Sequence, residues 1–204
     1  MTPHFIQHRV NKISELIGLN NNLGAEIDLR SWGDSKSPKL HLAHDPWTQG
    51  DDFEEWLKIY SSQARGTLIL NTKEDGLENF TLELLKKYKI TDYFFLDTTL
   101  PSLVNWTLRK KHPNFAIRIS RFENIIKDFI GTATWVWVDC FDGLPIDKKY
   151  FSELKGKFKI CLVSPELHGL QFELNEAFIS MGSAADAICT KKPDTWKKAL
   201  ENTL

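Results

Sequence analysis

Two patterns of apolar residues alternate along the chain: short runs with a period of two, and longer segments whose apolar residues recur every three or four positions. The first pattern predicts β-strands and the second predicts amphipathic helices. Strands are predicted at 4–8, 24–30, 67–73, 93–97, 115–120, 135–140, 159–164 and 187–190. Helices are predicted at 53–60, 77–88, 100–110, 122–130, 148–154, 172–181 and 194–200.

This alternation predicts a parallel sheet covered by helices, because each strand is followed by a helix or by a connection long enough to hold one. Eight such units predict a single compact (β/α)8 TIM barrel spanning residues 1–204, with the extended piece His41–His44 as an insertion. The alternative is an open doubly wound sheet, but no Gly-rich phosphate loop follows the first strand. The chain contains no linker or repeat that divides it.

Composition and charge narrow the class of protein. The net charge of −1 and the pI near 6.6 argue against a general nucleic-acid or membrane surface. No apolar run reaches the roughly 18 residues needed to span a bilayer, and the N-terminus does not resemble a signal peptide. The cysteines, Cys140, Cys161 and Cys189, lie in apolar runs, which favours a reducing compartment. We therefore expect a cytoplasmic protein; its oligomeric state stays open.

The strand at 24–30 carries two acids on one face. Residues two apart in a strand point the same way, so Glu26 and Asp28 lie opposite Ala25, Ile27 and Leu29. An isolated run of this kind is usually a charged edge exposed to solvent. Two other short runs end in His8-Arg9 and in His44-Asp45-Pro46, however, and the three together form a more specific constellation.

In a barrel of this type the active site lies at the carboxyl ends of the strands. Polar residues occur at these ends on most of the predicted strands, and charged groups that converge there are seldom present for stability, because burying charge is costly unless it is paired. They are His8, Arg9, Glu26, Asp28, Asn71, Lys73, Asp97, Arg118, Asp139, Glu166 and Lys191. For Asp97 and Lys191, a role as salt-bridged rim residues stays equally open.

These residue types suggest phosphoryl transfer at a phosphodiester. Glu26 and Asp28 supply two oxygen ligands from one strand face for a hard divalent cation, Mg²⁺ or Ca²⁺, which would polarise the phosphoryl oxygens. Cationic groups would hold the phosphate, and Asp139 and Glu166 would contact the substrate. The cations are Arg9, Lys73 and Arg118. His8 and His44 would act as the acid/base pair, because imidazole titrates near neutral pH. Of the other histidines, His168 is a candidate for lining the mouth.

The three motifs resemble the signature of glycerophosphodiester phosphodiesterases, within the phospholipase-C-like phosphodiesterase barrels. The segment at 186–193, Asp-Ala-Ile-Cys-Thr-Lys-Lys-Pro, also resembles the last strand of that family. The resemblance implies a metal-assisted phosphoric diester hydrolase that acts on a small phosphodiester. It implies the same roles for His8 and His44, a metal held by Glu26 and Asp28, and phosphate contacts from Arg9 and Lys73.

Several positions depart from the family pattern. Where the family usually has Glu-x-Lys, with the acid completing the metal site, this chain has Asn71-Thr72-Lys73. The amide oxygen of Asn71 can still bind the metal, but the site loses one negative charge, so weak metal binding is expected. The Pro-Glu-Asn-Thr segment after His-Arg is absent, Lys191 replaces a late acid, and Ser164-Pro165-Glu166 stands where Trp-Thr is common. The chain is therefore expected to be a divergent member.

Two other functions stay open. A hydroxyl of the substrate could attack phosphorus and leave a cyclic phosphate, a lyase-type reaction that needs the same two histidines. Alternatively, the barrel could bind a phosphorylated ligand without turnover, an alternative that Asn71 favours.

Overall fold

The structure, a computed structural model, describes residues 2–63, 65–170 and 174–202. These residues form a mixed α/β fold around a large central sheet. The strands are β1 (His4–Gln7), β2 (Gly24–Asp34), β3 (Ser37–Leu42), β4 (Asp51–Asp52), β5 (Leu68–Thr72), β6 (Tyr93–Leu96), β7 (Ala116–Ile119), β8 (Trp135–Val138), β9 (Lys159–Val163) and β10 (Ala187–Thr190).

Helices follow most of these strands. They are α1 (Ile13–Gly18), α2 (Phe53–Ser61), α3 (Glu78–Lys87), α4 (Leu100–Val104), α5 (Lys148–Lys155), α6 (Glu176–Ala184) and α7 (Pro193–Glu201). A π-helical segment, Asn105–Arg109, continues α4, and 3₁₀-helices span Ile126–Phe129 and Pro165–His168. No helix among residues 2–63, 65–170 and 174–202 is long and apolar enough to cross a membrane.

The parallel strands pair in a regular order. β1 pairs with β2 and β10, and the sheet continues from β10 through β9 and β8 to β7. On the other side β2 pairs with β5, and β5 pairs with β6. A parallel bridge between Phe95 and Phe115 connects the end segments of β6 and β7. Both sides of the sheet therefore lead away from β1 and approach each other at β6 and β7.

The two faces of the sheet bury different sets of side chains. Ala25, Ile27 and Leu29 belong to the larger core, which includes helix residues such as Trp56 and Trp196. The opposite face contributes a second, separate cluster of buried side chains from nearly every parallel strand. This cluster consists of Ile6, Ile69, Phe94, Leu96, Ala116, Trp135, Trp137, Cys161, Val163, Ala187 and Cys189. Glu26 and Asp28 lie on the same face of β2 as this second cluster, because side chains alternate along a strand.

Three predictions about the elements need correction. The helix predicted at 122–130 is wrong: the structure forms only the 3₁₀-helix Ile126–Phe129, and Phe122 is 75% exposed. The strand predicted at 24–30 continues to Asp34 and forms an antiparallel hairpin with β3. The piece His41–His44, predicted as an insertion, therefore begins within the second strand of this hairpin. The helix predicted from Phe172 begins at Glu176; Phe172 itself lies outside the described residues.

Protonation of His4, at the start of β1, is expected to destabilise the fold. The backbone N–H of Thr67 donates to His4 Nε2 at 3.2 Å, and burial lowers the pKa of His4 against an opposing effect of Asp92. Because the folded state favours the neutral ring, this stabilisation is complete above the ordinary pKa near 6.5 and is lost as the pH falls toward the lowered pKa. The measurement is urea unfolding of wild type and His4→Gln at about pH 7.5 and about pH 5. We expect wild type to lose its advantage over the variant at the lower pH; a constant difference would contradict this role.

Candidate active site

The predicted site residues at the start of the chain converge at the carboxyl ends of the parallel strands. His8 follows β1, Glu26 and Asp28 lie in β2, Asn71 lies in β5, and Lys73 follows β5 directly. Asp28 and Asn71 are register partners in the β2–β5 ladder. We call Glu26, Asp28, Asn71 and Lys73 the carboxylate cluster.

Glu26 is buried and accepts hydrogen bonds at both carboxylate oxygens. The backbone N–H of Arg9 donates to Oε2 at 2.8 Å, and Asn71 Nδ2 donates to Oε1 at 3.0 Å. Arg9 has a φ of 59°, a left-handed conformation that is costly for a residue with a side chain, and the tertiary contact with Glu26 compensates for that cost. Burial, reinforced by the charge of Asp28, raises the pKa of Glu26 to about 7.

Asp28 remains a carboxylate although it is equally buried. Lys73 Nζ lies 3.0 Å from Oδ1, and Asn11 Nδ2 donates to Oδ2 at 2.8 Å. Asn11 also accepts from the backbone N–H of Asp28 at 2.8 Å, so its amide is bonded to Asp28 twice. Burial favours the neutral acid, but the Lys73 ammonium and the Asn11 amide outweigh it and lower the pKa of Asp28.

His8 lies beside Glu26 as a neutral imidazole. Its Nε2 is 3.7 Å from Glu26 Oε2. Burial, together with the charges of Arg9 and Lys191, lowers the pKa of His8 to about 4. At neutral pH the ring is therefore unprotonated, and its free nitrogen lone pair can accept a proton.

His44 follows β3 and lies next to the end of β2. The backbone N–H of Ala43 donates to the carbonyl of Asp28 at 3.0 Å, and Arg30 donates to the His44 carbonyl at 2.9 Å, so the backbone before His44 is fixed against β2. The imidazole is 43% exposed, and its Nδ1 lies 2.7 Å from Asp45 Oδ1. The structure thus places His44 next to the strand that carries the acids, with a carboxylate at Nδ1.

A second polar group extends the site toward the later strands. Arg118 contacts Asp97 closely, and its Nε lies 3.4 Å from Asp139. Asp139 is buried and also contacts His168 Nε2 closely. Lys73 Nζ lies 3.7 Å from Asp97, which connects this group to the carboxylate cluster. The charge of Arg118 is therefore shared between two carboxylates.

Glu166 is engaged in local structure. It accepts hydrogen bonds from the backbone N–H of Lys191 at 3.0 Å and from the hydroxyls of Thr190 and Ser164. These bonds connect the segment after β9 to the end of β10. Glu166 thus lies at the predicted edge of the sheet, with its carboxylate bonded to the neighbouring strand end.

The arrangement does not fit a divalent cation. Each carboxylate oxygen of Glu26 and Asp28 already accepts a hydrogen bond or contacts a cation, and Lys73 places its ammonium 3.0 Å from Asp28. Asn71 Oδ1 is buried without a hydrogen-bond partner in the described part of the chain, so one neutral oxygen is available. A divalent cation here would have to displace the donors bonded to both carboxylates and would lie next to the Lys73 ammonium, with one neutral oxygen as its additional ligand. Among residues 2–63, 65–170 and 174–202, no group of at least three His, Cys, Asp and Glu side chains is arranged to hold a metal.

Comparison with solved structures identifies the fold. A glycerophosphodiester phosphodiesterase from Agrobacterium tumefaciens str. C58 matches with a TM-score of 0.65 and 11% identity over 97% of this chain and 100% of that chain. A glycerophosphodiester phosphodiesterase and a glycerophosphoryl diester phosphodiesterase, both from Parabacteroides distasonis ATCC 8503, match over 100% of this chain. They have TM-scores of 0.61 and 0.64, identities of 12% and 13%, and 99% and 87% of their own lengths covered. The chain has the fold of these phosphodiesterases.

The predicted resemblance is therefore confirmed at the level of the fold. At 11–13% identity the likeness extends over the whole chain without a close sequence relationship, as expected of a divergent member. No family model matches the sequence, and no curated protein matches it.

Sequence reasoning missed Asn11 and the contact between His168 and Asp139. Asn11 holds Asp28 through two hydrogen bonds, but an asparagine in a loop carries no distinctive signal. His168 was expected only as a residue lining the mouth, and its contact with Asp139 was not foreseen. An acid at the end of one strand and a histidine after the next strand were a possible sequence signal for that contact.

Proposed function

We propose that this protein hydrolyses small phosphodiesters, with glycerophosphodiesters as the first substrate class to test. The observation that supports this most strongly is the buried pair Glu26 and Asp28, flanked by His8, Arg9 and Lys73 at the carboxyl ends of the strands. The solved structures that share the fold from end to end are described as phosphodiesterases.

The proposal includes a closed barrel. The parallel pairings connect β6 through β5, β2, β1, β10, β9 and β8 to β7, and the Phe95–Phe115 bridge joins the remaining gap. A separate buried cluster on one face of the sheet is what the interior of a (β/α)8 barrel requires. We infer that these eight strands surround that cluster, which places the carboxylate cluster at the mouth.

In the proposed reaction, His8 accepts a proton from the attacking water and His44 donates one to the departing alcohol. The neutral state of His8 suits the first role. The solvent exposure of His44, which has Asp45 at Nδ1, suits the second. The phosphate would lie against Arg9 and Lys73, since a guanidinium and an ammonium stabilise phosphoryl oxygens. No step is assigned to Mg²⁺ or Ca²⁺.

Arg118, Asp139 and Glu166 receive smaller roles than the sequence suggested. Arg118 shares its charge between Asp97 and Asp139, so it would position the substrate more than it would neutralise the phosphate. Glu166 would support the end of β10. We also propose a reducing, cytoplasmic setting, because the three cysteines are buried and free.

Two alternatives use the same site. Attack by a hydroxyl of the substrate would give a cyclic phosphate with the same two histidines. Binding of a phosphorylated ligand without turnover is favoured by Asn71, whose amide replaces a family carboxylate and donates to Glu26.

The test is release of nitrophenol from bis(p-nitrophenyl) phosphate, measured with added Mg²⁺, Mn²⁺ or Ca²⁺ and again with a chelator. We expect turnover of the diester, with p-nitrophenyl phosphate, a monoester, as the control substrate that is cleaved much more slowly. If neither compound is cleaved in any condition, hydrolysis of this diester is rejected, and the alternatives left are binding without turnover and the lyase-type reaction, which needs a hydroxyl that this substrate lacks.

A further inference from the structure

The cation closest to the buried acids belongs to the chain itself. Lys73 Nζ lies 3.0 Å from Asp28 Oδ1 and 3.7 Å from Asp97 Oδ2, and its side chain is 16% exposed. An ammonium has three N–H donors, so one donor remains for a ligand after both carboxylates are satisfied. Lys73 is thus partly accessible and held from two sides.

The neighbours of Lys73 leave little room for a divalent cation. The other oxygen of Asp28 accepts from Asn11, and Arg9 Nε lies 3.5 Å from it. The oxygens of Glu26 accept from Arg9 and Asn71. A metal bound between these acids would have to displace several hydrogen-bond donors from their oxygens, and it would be repelled by the positive charge of Lys73. Its third ligand would be only the neutral amide oxygen of Asn71.

We infer that this chain binds phosphoryl groups without a divalent cation, and that the ammonium of Lys73 supplies the positive charge at the acid pair. The inference rests on the proposed function for the position of the phosphate at the mouth. It departs from the metal-assisted reaction that the family resemblance implies. Asn71 and Lys73 act together here. Asn71 supplies a neutral amide where the family pattern has a carboxylate, and the Lys73 ammonium is the cation nearest to Asp28.

The first arm of the test measures metal binding directly. Mg²⁺, Mn²⁺ and Ca²⁺ are titrated by calorimetry into wild type and into the double variant Asn71→Glu, Lys73→Gln. Wild type is expected to show no saturable binding tighter than about 1 mM, and the double variant is expected to bind on the order of tenfold more tightly. Saturable binding by wild type that equals or exceeds binding by the double variant would overturn the inference.

The second arm measures binding of inorganic phosphate in excess EDTA. Wild type is expected to keep its affinity in EDTA, and Lys73→Gln is expected to lose on the order of tenfold, as for a lost charged hydrogen bond. Lys58→Gln, a substitution on the exposed surface of α2, is the matched control and should change nothing. Loss of phosphate binding by wild type in EDTA would overturn the inference.

A conservative variant keeps the test informative if Lys73→Gln does not fold. Lys73→Arg retains the charge and should still bind phosphate in excess EDTA. If phosphate binding by this variant and by wild type requires added metal, the inference is wrong. Failure of the proposed function has a different signature. Absent diester turnover together with chelator-resistant phosphate binding would reject hydrolysis and retain the role of Lys73.

Discussion

Replacing His8 or His44 by alanine is expected to lower the rate of phosphodiester hydrolysis by a factor on the order of 10²–10⁴, while the protein stays folded. Each histidine is assigned one proton transfer, and both side chains are partly exposed, so their loss leaves no sealed cavity. The measurement is the rate with bis(p-nitrophenyl) phosphate, with circular dichroism as the check on folding.

His112→Ala is the matched control. His112 precedes the amino end of β7, whereas the candidate site lies at the carboxyl ends of the strands. Its ring contacts Tyr93, Trp106 and Phe115. Its loss should leave the specific rate nearly unchanged. If all three alanine variants lose activity equally, the effect reflects stability, and the assignment of His8 and His44 fails.

Replacing Asp28 by alanine is expected to lower the free energy of unfolding by about 3 kcal/mol, because it removes the buried partner of an ion pair and leaves Lys73 with only the more distant carboxylate of Asp97. Lys73 would lose its partner at 3.0 Å, and Asn11 Nδ2 would lose its acceptor. Asp28→Asn retains an acceptor for Asn11 and should fall between wild type and Asp28→Ala. Urea denaturation of the three proteins measures the difference.

Asp45→Ala provides the comparison for an acid at the surface. Its carboxylate is 75% exposed, and the contact it makes with His44 is screened by solvent. Little change in the free energy of unfolding is expected. An Asp28→Ala variant as stable as Asp45→Ala would show that the carboxylate cluster does not hold β2 and β5 together.

The position of the acids was predictable because strand geometry is simple. A period of two places Glu26 and Asp28 on one face and Ile27 on the other, and the structure separates them in this way. The regular alternation of strands and helices limited the architecture to a parallel sheet, and the carboxyl ends of its strands then indicated the edge that carries the site.

The spacing of apolar residues gave a wrong prediction at 122–130, where a helix and a single 3₁₀ turn both fit it. The apolar residues at 122–130 recur at helical intervals, yet Ile126 and Phe129 are buried by a single 3₁₀ turn and Phe122 remains in solvent. Gly131 follows with a φ of 78°, which reverses the chain soon after the turn. Tertiary contacts with β7, including a bridge between Ile119 and Asn124, distinguish this segment from a helix, and the spacing alone does not encode them.

The partners of the site residues were also beyond the sequence. Lys73 was expected as a phosphate contact, but the distance of 3.0 Å to Asp28 depends on the register of β2 with β5. The two hydrogen bonds between Asn11 and Asp28 depend on the path of the loop after β1. Residue types indicated the chemistry, whereas pairing required the three-dimensional arrangement.

The most direct test of the central claim follows a glycerophosphodiester by ³¹P NMR in a mixture of ordinary and ¹⁸O-enriched water. Hydrolysis at this site predicts that the diester resonance is replaced by a phosphomonoester signal that carries solvent ¹⁸O from its first appearance. A cyclic phosphate that precedes any monoester would assign the reaction to the lyase alternative. A diester resonance that stays unchanged with wild-type protein would contradict the claim that this chain cleaves phosphodiesters.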